Sequence, residues 1–220
     1  MITDIQGKYA ELYALAIQNI NQEQRIVAAG HSYSIWTLAR YKPDGTLDPT
    51  FGTGGIVQTQ NGKRSVAGER INALAIQPDN KIVAGGSLAG GGSFALARYT
   101  VNGSLDATFG TGGKVVLKLD KKYGGSVEAL AMQPDGKILA CGSTGQFPVV
   151  VRLNPNGTLD GTFAAAGQFV YSGQRGAFSA IVIQVINGKK GLWPRVTTAT
   201  LQCASHPRGP LTPVSGSAAS

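Results

Sequence analysis

Short apolar runs, each closed by a turn signal, recur along this chain at a long interval. "ALAIQ" stands at 14–18 and again at 73–77, and "ALAMQ" at 129–133. Two of these run into "PDNK" or "PDGK", where an Asn or Gly supplies the positive φ of a tight hairpin. "KIVAGGS" follows, rich in β-branched and small residues, and then "FALARY" after a Gly-rich loop. "KPDGTLD" or "NPNGTLD" turns the chain once more, and "GGKVVLKL" completes the set. Four short apolar runs bounded by turn residues predict four strands per unit and no helix. In the first unit they fall at 13–18, 24–30, 35–41 and 54–60, with counterparts one and two repeats later. The small-residue runs "VAAG", "VAGG" and "LACG" predict strands buried on both faces where neighbouring sheets come close.

The landmarks keep their order and spacing. Gln18, Gln77, Gln133 and Gln184 step by 59, 56 and 51 residues, and Gly30, Gly86 and Gly142 by 56 and 56. Such a period is too long for most helical solenoids and falls in the range of four-stranded propeller blades. The expected fold is all-β: a β-propeller-type repeat with about three complete units, partial units at both ends, and an incomplete or open ring. The units run over about 13–70, 71–126 and 127–178, with a partial unit at 179–190.

"GTLDPTFGTGG" is the most distinctive element. Asp48, Asp106 and Asp160 stand three residues before Phe51, Phe109 and Phe163. An acidic site for calcium is one reading. One Asp per unit cannot by itself supply six to eight oxygen ligands, so the structural reading is stronger. In that reading the Asp accepts backbone N–H bonds in its turn and the Phe plugs the space between sheets. Arg40, Arg98 and Arg152 also hold one equivalent place, at the end of the third strand. They could line an anion-binding channel, but stacking on a neighbouring unit or bonding loop carbonyls is the favoured role.

The motif "ALAIQPDNKIVAGGS…FALARY…NGSLDATFGTGGKV" resembles the delta-60 repeat, a family of bacterial tandem repeats thought to build β-propellers. The resemblance covers 13–190. It implies a propeller-like scaffold, often part of a large secreted or surface protein, and no defined catalytic residue. The third unit departs from the pattern, because "FAAAGQF" replaces "FGTGGKV" and loses two glycines.

Charge adds little. The 220 residues carry a net +8, but +4 of it sits in 189–220, and no Lys/Arg stripe interleaved with aromatics marks a nucleic-acid surface. Cys141 and Cys203 make no disulfide framework. No apolar stretch approaches a membrane span, and "MITDIQGKYAEL" lacks the pattern of a signal peptide. His31, in "AAGHSYS", reads as a strand-end or loop histidine.

The two ends break the pattern. Residues 1–12 align with the last strand of a unit leading into the next. A fourth unit starts on time with "SAIVIQVINGKK", but 191–220 has lost the repeat. Codons for that stretch, read one base earlier, permit a string with "IVAAG", "FAVRF" and "AGTFDPSFG" in repeat order. Residues 191–220 are therefore expected to be an out-of-frame reading of the fourth repeat, and disordered.

The resulting expectation is a non-catalytic scaffold, a fragment of a larger secreted or surface protein, that binds a protein or glycan ligand. It uses no cofactor or metal, binds no nucleic acid, and self-associates through open strand edges. The alternative is an enzyme, of hydrolase or lyase class, with its site on loops at the propeller mouth.

Overall fold

The computed structural model describes residues 10–60, 68–88, 93–120 and 122–183. The expected outer strand at 1–8, the fourth unit beyond 183 and the tail at 191–220 lie outside the described residues. Twelve strands form three four-stranded antiparallel sheets, and no helix occurs among the described residues. The first sheet holds β1 (Ala10–Ile20), β2 (Glu23–Ser32), β3 (Ile35–Tyr41) and β4 (Ile56–Thr59). The second holds β5 (Arg70–Ile76), β6 (Ile82–Ser87), β7 (Phe94–Tyr99) and β8 (Lys114–Leu117). The third holds β9 (Ser126–Met132), β10 (Ile138–Ser143), β11 (Pro148–Leu153) and β12 (Gln168–Val170). In every sheet the strands pair in chain order, as hairpins require.

The turns follow from their residues. Asn80 and Gly136 take φ of 61° and 80° at equivalent places in the "PDNK" and "PDGK" hairpins. The first unit instead turns on Asn21 and Gln22, both at positive φ, which lengthens β1 to Ile20. A β-bulge interrupts β1, β5 and β9 at one equivalent position. Gly30, Gly86 and Gly142 lie opposite it, and a Cβ on Gly86 would stand 2.0 Å from the Arg70 carbonyl oxygen. That places the tight approach between neighbouring strands of one sheet, not between sheets as the small-residue runs suggested. Gly85 does meet the next sheet, at Val127 and Leu130.

Alternation along the central strands builds two shared cores. Val27, Ala29, Trp36 and Leu38 of the first sheet meet Ile82, Ala84, Ala95 and Ala97 of the second. The opposite face of the second sheet, through Val83, Phe94 and Leu96, meets Ile138, Ala140 and Val151 of the third. The second sheet thus turns Ala84, Ala95 and Ala97 to the sheet before it and the larger Phe94 and Leu96 to the sheet after it. The outer face of the third sheet, with Leu139, Cys141 and Val150, is covered by Phe178, Ile181 and Ile183. Cys141 is a buried core residue here. Three sheets stacked in sequence, with no closure among the described residues, make an open propeller-like repeat.

Candidate functional site

The loop between the third and fourth strands of each sheet holds the repeat signature, and it folds the same way three times. Asp48, Asp106 and Asp160 are all buried, and each accepts the backbone N–H and the hydroxyl of the Thr two residues on. The second carboxylate oxygen accepts the Nε–H of the strand-end arginine: Arg40 to Asp48 at 3.0 Å, Arg98 to Asp106 at 2.9 Å and Arg152 to Asp160 at 2.7 Å. A second cation reaches the same oxygen from the start of β2, β6 or β10: Arg25 at 3.1 Å, Lys81 at 3.2 Å and Lys137 at 2.9 Å. The aspartates and arginines are therefore one unit, eight residues apart each time. The sequence reading treated them separately and missed the second cation, although Arg25, Lys81 and Lys137 also repeat at 56-residue intervals.

The phenylalanines complete the unit. Phe51 and Phe109 are fully buried, and Phe163 is partly buried. The guanidinium carbon of Arg40, Arg98 or Arg152 stands 4.6, 4.8 or 4.8 Å from the centre of the matching ring. The remaining donors cross to the next sheet. Arg40 Nη1 donates to the Val101 carbonyl at 2.6 Å, and Arg98 Nη1 donates to the Pro155 carbonyl. The Gly52 and Gly110 amides donate to the Asn102 and Asn156 carbonyls at 2.9 and 2.8 Å. Gly103 and Gly157 pack on the Phe51 and Phe109 rings. The first two signature loops therefore each clamp their own sheet to the turn of the following one.

Electrostatics agree with that geometry. Burial raises the Asp48 carboxyl, but the Thr50 bonds and the Arg40 and Arg25 charges outweigh it and hold it at about 2. The Thr108 hydroxyl, Lys81 and Arg98 lower Asp106 further, and the Thr162 hydroxyl, Lys137 and Arg152 do the same for Asp160. A calcium ion would have to displace these donors. An anion would find Arg40 already donating to Asp48, Gln18, Val101 and Thr50.

The opposite end of the sheets differs from repeat to repeat. Its connections read "SYS", "LAGGGS" and "TGQF" between second and third strands. Tyr13, Tyr33, Tyr123 and Tyr171 are exposed there, at 44, 57, 38 and 40 %. Near β1, Tyr13 donates a short hydrogen bond to Glu11, which raises its pKa, and meets the His31 ring edge-on at 5.8 Å. Arg70 lies 5.4 Å above the same tyrosine ring. Burial pushes His31 down, and its Nδ1 is buried without a hydrogen-bond partner. The strand-end place of His31 was legible, but its grouping with Glu11, Tyr13 and Arg70 depends on the β1–β2 register and the β5 contact. No group of three or more His, Cys, Asp or Glu that could hold a metal occurs among the described residues. No helix among them is long and apolar enough to cross a membrane.

Three segments of the chain, residues 25–51, 77–109 and 133–163, match one protein-family model, described as "Domain of unknown function (DUF5122) beta-propeller". Each segment ends on a signature phenylalanine. The repeats are thus of β-propeller type. No curated protein matches the chain.

Proposed function

We propose that these β-propeller-type repeats form a non-catalytic scaffold that presents a binding surface for a protein or glycan ligand. The narrower likeness to delta-60 repeats, and with it a larger bacterial surface protein as parent, rests on the quoted sequence motif. One observation carries the reading. The signature loops spend their charges on holding sheets together, while the exposed tyrosines gather at the opposite, repeat-variable end. Tyrosine offers a broad apolar face and a polar tip at low entropic cost, which suits it to protein and sugar recognition. A screen against immobilised oligosaccharides and peptides tests this with the wild type and a Tyr33→Ala, Tyr123→Ala, Tyr171→Ala variant. The reading expects a ligand that the wild type holds and the variant loses, at unchanged melting temperature. Equal binding by the variant overturns the assignment of the surface.

A second reading, an enzyme at the same end, is favoured by the Glu11, Tyr13, His31 and Arg70 cluster. Hydrolytic or eliminating turnover that falls on His31→Ala with the fold intact would replace the scaffold reading by this one.

A further inference from the structure

The two internal junctions define what a repeat needs on each side, and the outer sheets lack part of it among the described residues. On the leading side of the first sheet, Leu15 is 71 % exposed, Ile17 50 % and Ile26 38 %. Their counterparts one and two repeats on are Leu74 and Leu130, Ile76 and Met132, and Ile82 and Ile138, and all of them pack into the cores between sheets. Gly45 is equivalent to Gly103 and Gly157. A Cβ on Gly103 would stand 2.9 Å from the Phe51 ring of the preceding sheet, and one on Gly157 3.0 Å from Phe109, whereas nothing lies within 4 Å of one on Gly45. The leading face is a half-junction without its other half among the described residues.

The third sheet carries that other half. Phe163 and Arg152 repeat Phe51 and Arg40, down to the ring and guanidinium contact of 4.8 Å. Arg152 Nη1 has no carbonyl partner among the described residues, where Arg40 and Arg98 each have one. The Arg152 side chain is 20 % exposed, against 3 and 7 % for Arg40 and Arg98. Phe178, Ile181 and Ile183 lie over this face. In the repeat they stand where Ile71, Leu74 and Ile76 stand in β5, so they occupy the place of a single innermost strand. They bring no turn carbonyl for Arg152 and no glycine for Phe163.

We infer that two copies of this chain dock head to tail, the leading face of the first sheet of one copy seating on the third sheet of another. β1 of the incoming copy has the apolar pattern of residues 178–183, with Leu15 for Ile181 and Ile17 for Ile183, and it displaces that segment. The incoming turn then supplies what the segment lacks: the Pro43 carbonyl to Arg152 Nη1 and the Gly45 surface to the Phe163 ring. The interface repeats the chemistry of the two junctions already inside the chain, which is why the occupant is a second copy. Its two halves differ, so a docked pair keeps one free head and one free tail, and association continues to a ring or a chain of copies.

Sizing chromatography with light scattering, over a range of concentrations, tests this on the full chain. The wild type is expected above monomer mass, rising with concentration. Leu15→Asp puts a charge on the exposed head and should be monomeric. Gly45→Asn keeps a residue that tolerates positive φ and fills space that is open in the monomer, but it blocks Phe163, so it too should be monomeric. Phe169 of β12 packs on the same face with Leu139, Cys141 and Val150, so Phe169→Asp alters the tail, with Arg152→Ala in its place if its melting transition shows no fold. The tail variant alone should be monomeric, and its mixture with Leu15→Asp should give a dimer and nothing larger. A wild type that stays monomeric, a head variant that associates like the wild type, or folded head and tail variants that fail to pair would each overturn the inference.

Discussion

Asp48, Asp106 and Asp160 each hold two cations and a threonine, and removing one leaves those groups unpaired in a buried place. Asp106→Ala strands Arg98 and Lys81, whose side chains are 7 and 32 % exposed. We expect a loss of about 3 kcal/mol, because breaking a buried pair from one side leaves an uncompensated charge. Asp160→Ala should cost less, because Arg152 reaches more water than Arg98, at 20 % exposure against 7 %. Urea unfolding of the two variants measures the order. Calcium should leave the wild-type melting temperature unchanged, and a rise on its addition would restore the metal reading. The positions of Asp, Phe and Arg were legible from spacing alone. Their union was not, because the Arg–Asp pair forms across a loop and the Arg–carbonyl bond across a sheet junction, and neither is marked by local pattern.

At the level of the element, strand order and turns followed closely from apolar runs and turn residues. The expected strand at 13–18 is the centre of Ala10–Ile20, and that at 54–60 shrinks to Ile56–Thr59, because Gly54 and Gly55 belong to the preceding turn at φ of 62° and 94°. What apolar pattern could not show is the bulge, which depends on pairing. The third unit adds a test. Ala164 and Ala166 replace glycines yet keep φ of 45° and 53°, close to the 55° and 62° of Gly52 and Gly54. The loop's own backbone hydrogen bonds, Ala165 N–H to the Gln168 carbonyl and Gly167 N–H to the Phe163 carbonyl, hold them in a conformation alanine disfavours. Nothing lies within 4 Å of a Cβ on Gly54 or Gly112, so the cost at 166 is backbone strain alone. Ala166→Gly should therefore stabilise the chain, by about 0.5–1 kcal/mol once the added freedom of the unfolded state is set against the relief of strain. An unchanged or lower urea midpoint would count against that strain.

Across the whole molecule, three depressed carboxylates make stability depend on acid. Their unfolded values lie near 3.9, and their folded values are lower, at about 2 for Asp48. The folded state thus holds fewer protons than the unfolded one between these values. The stabilisation is fully present above about pH 5 and is lost as pH falls through 4 toward 2, with about 2 kcal/mol from Asp48 alone. Urea midpoints at pH 7 and pH 3 should differ accordingly. The repeat architecture was legible because its period is explicit in the sequence, whereas the face-to-face order of the sheets needed the alternation of small and large residues to be seen in three dimensions. The central claim is that the first two signature loops each clamp their sheet to the next, with the Phe of one repeat seated on the turn glycine of the following one. A double-mutant cycle on Phe51→Leu and Gly103→Asn, read by urea unfolding, tests it most directly. The account predicts that Gly103→Asn is strongly destabilising alone and less so in the Phe51→Leu background, a coupling of about 1 kcal/mol or more. Effects that simply add would mean that Phe51 and Gly103 do not meet, and would contradict the junction.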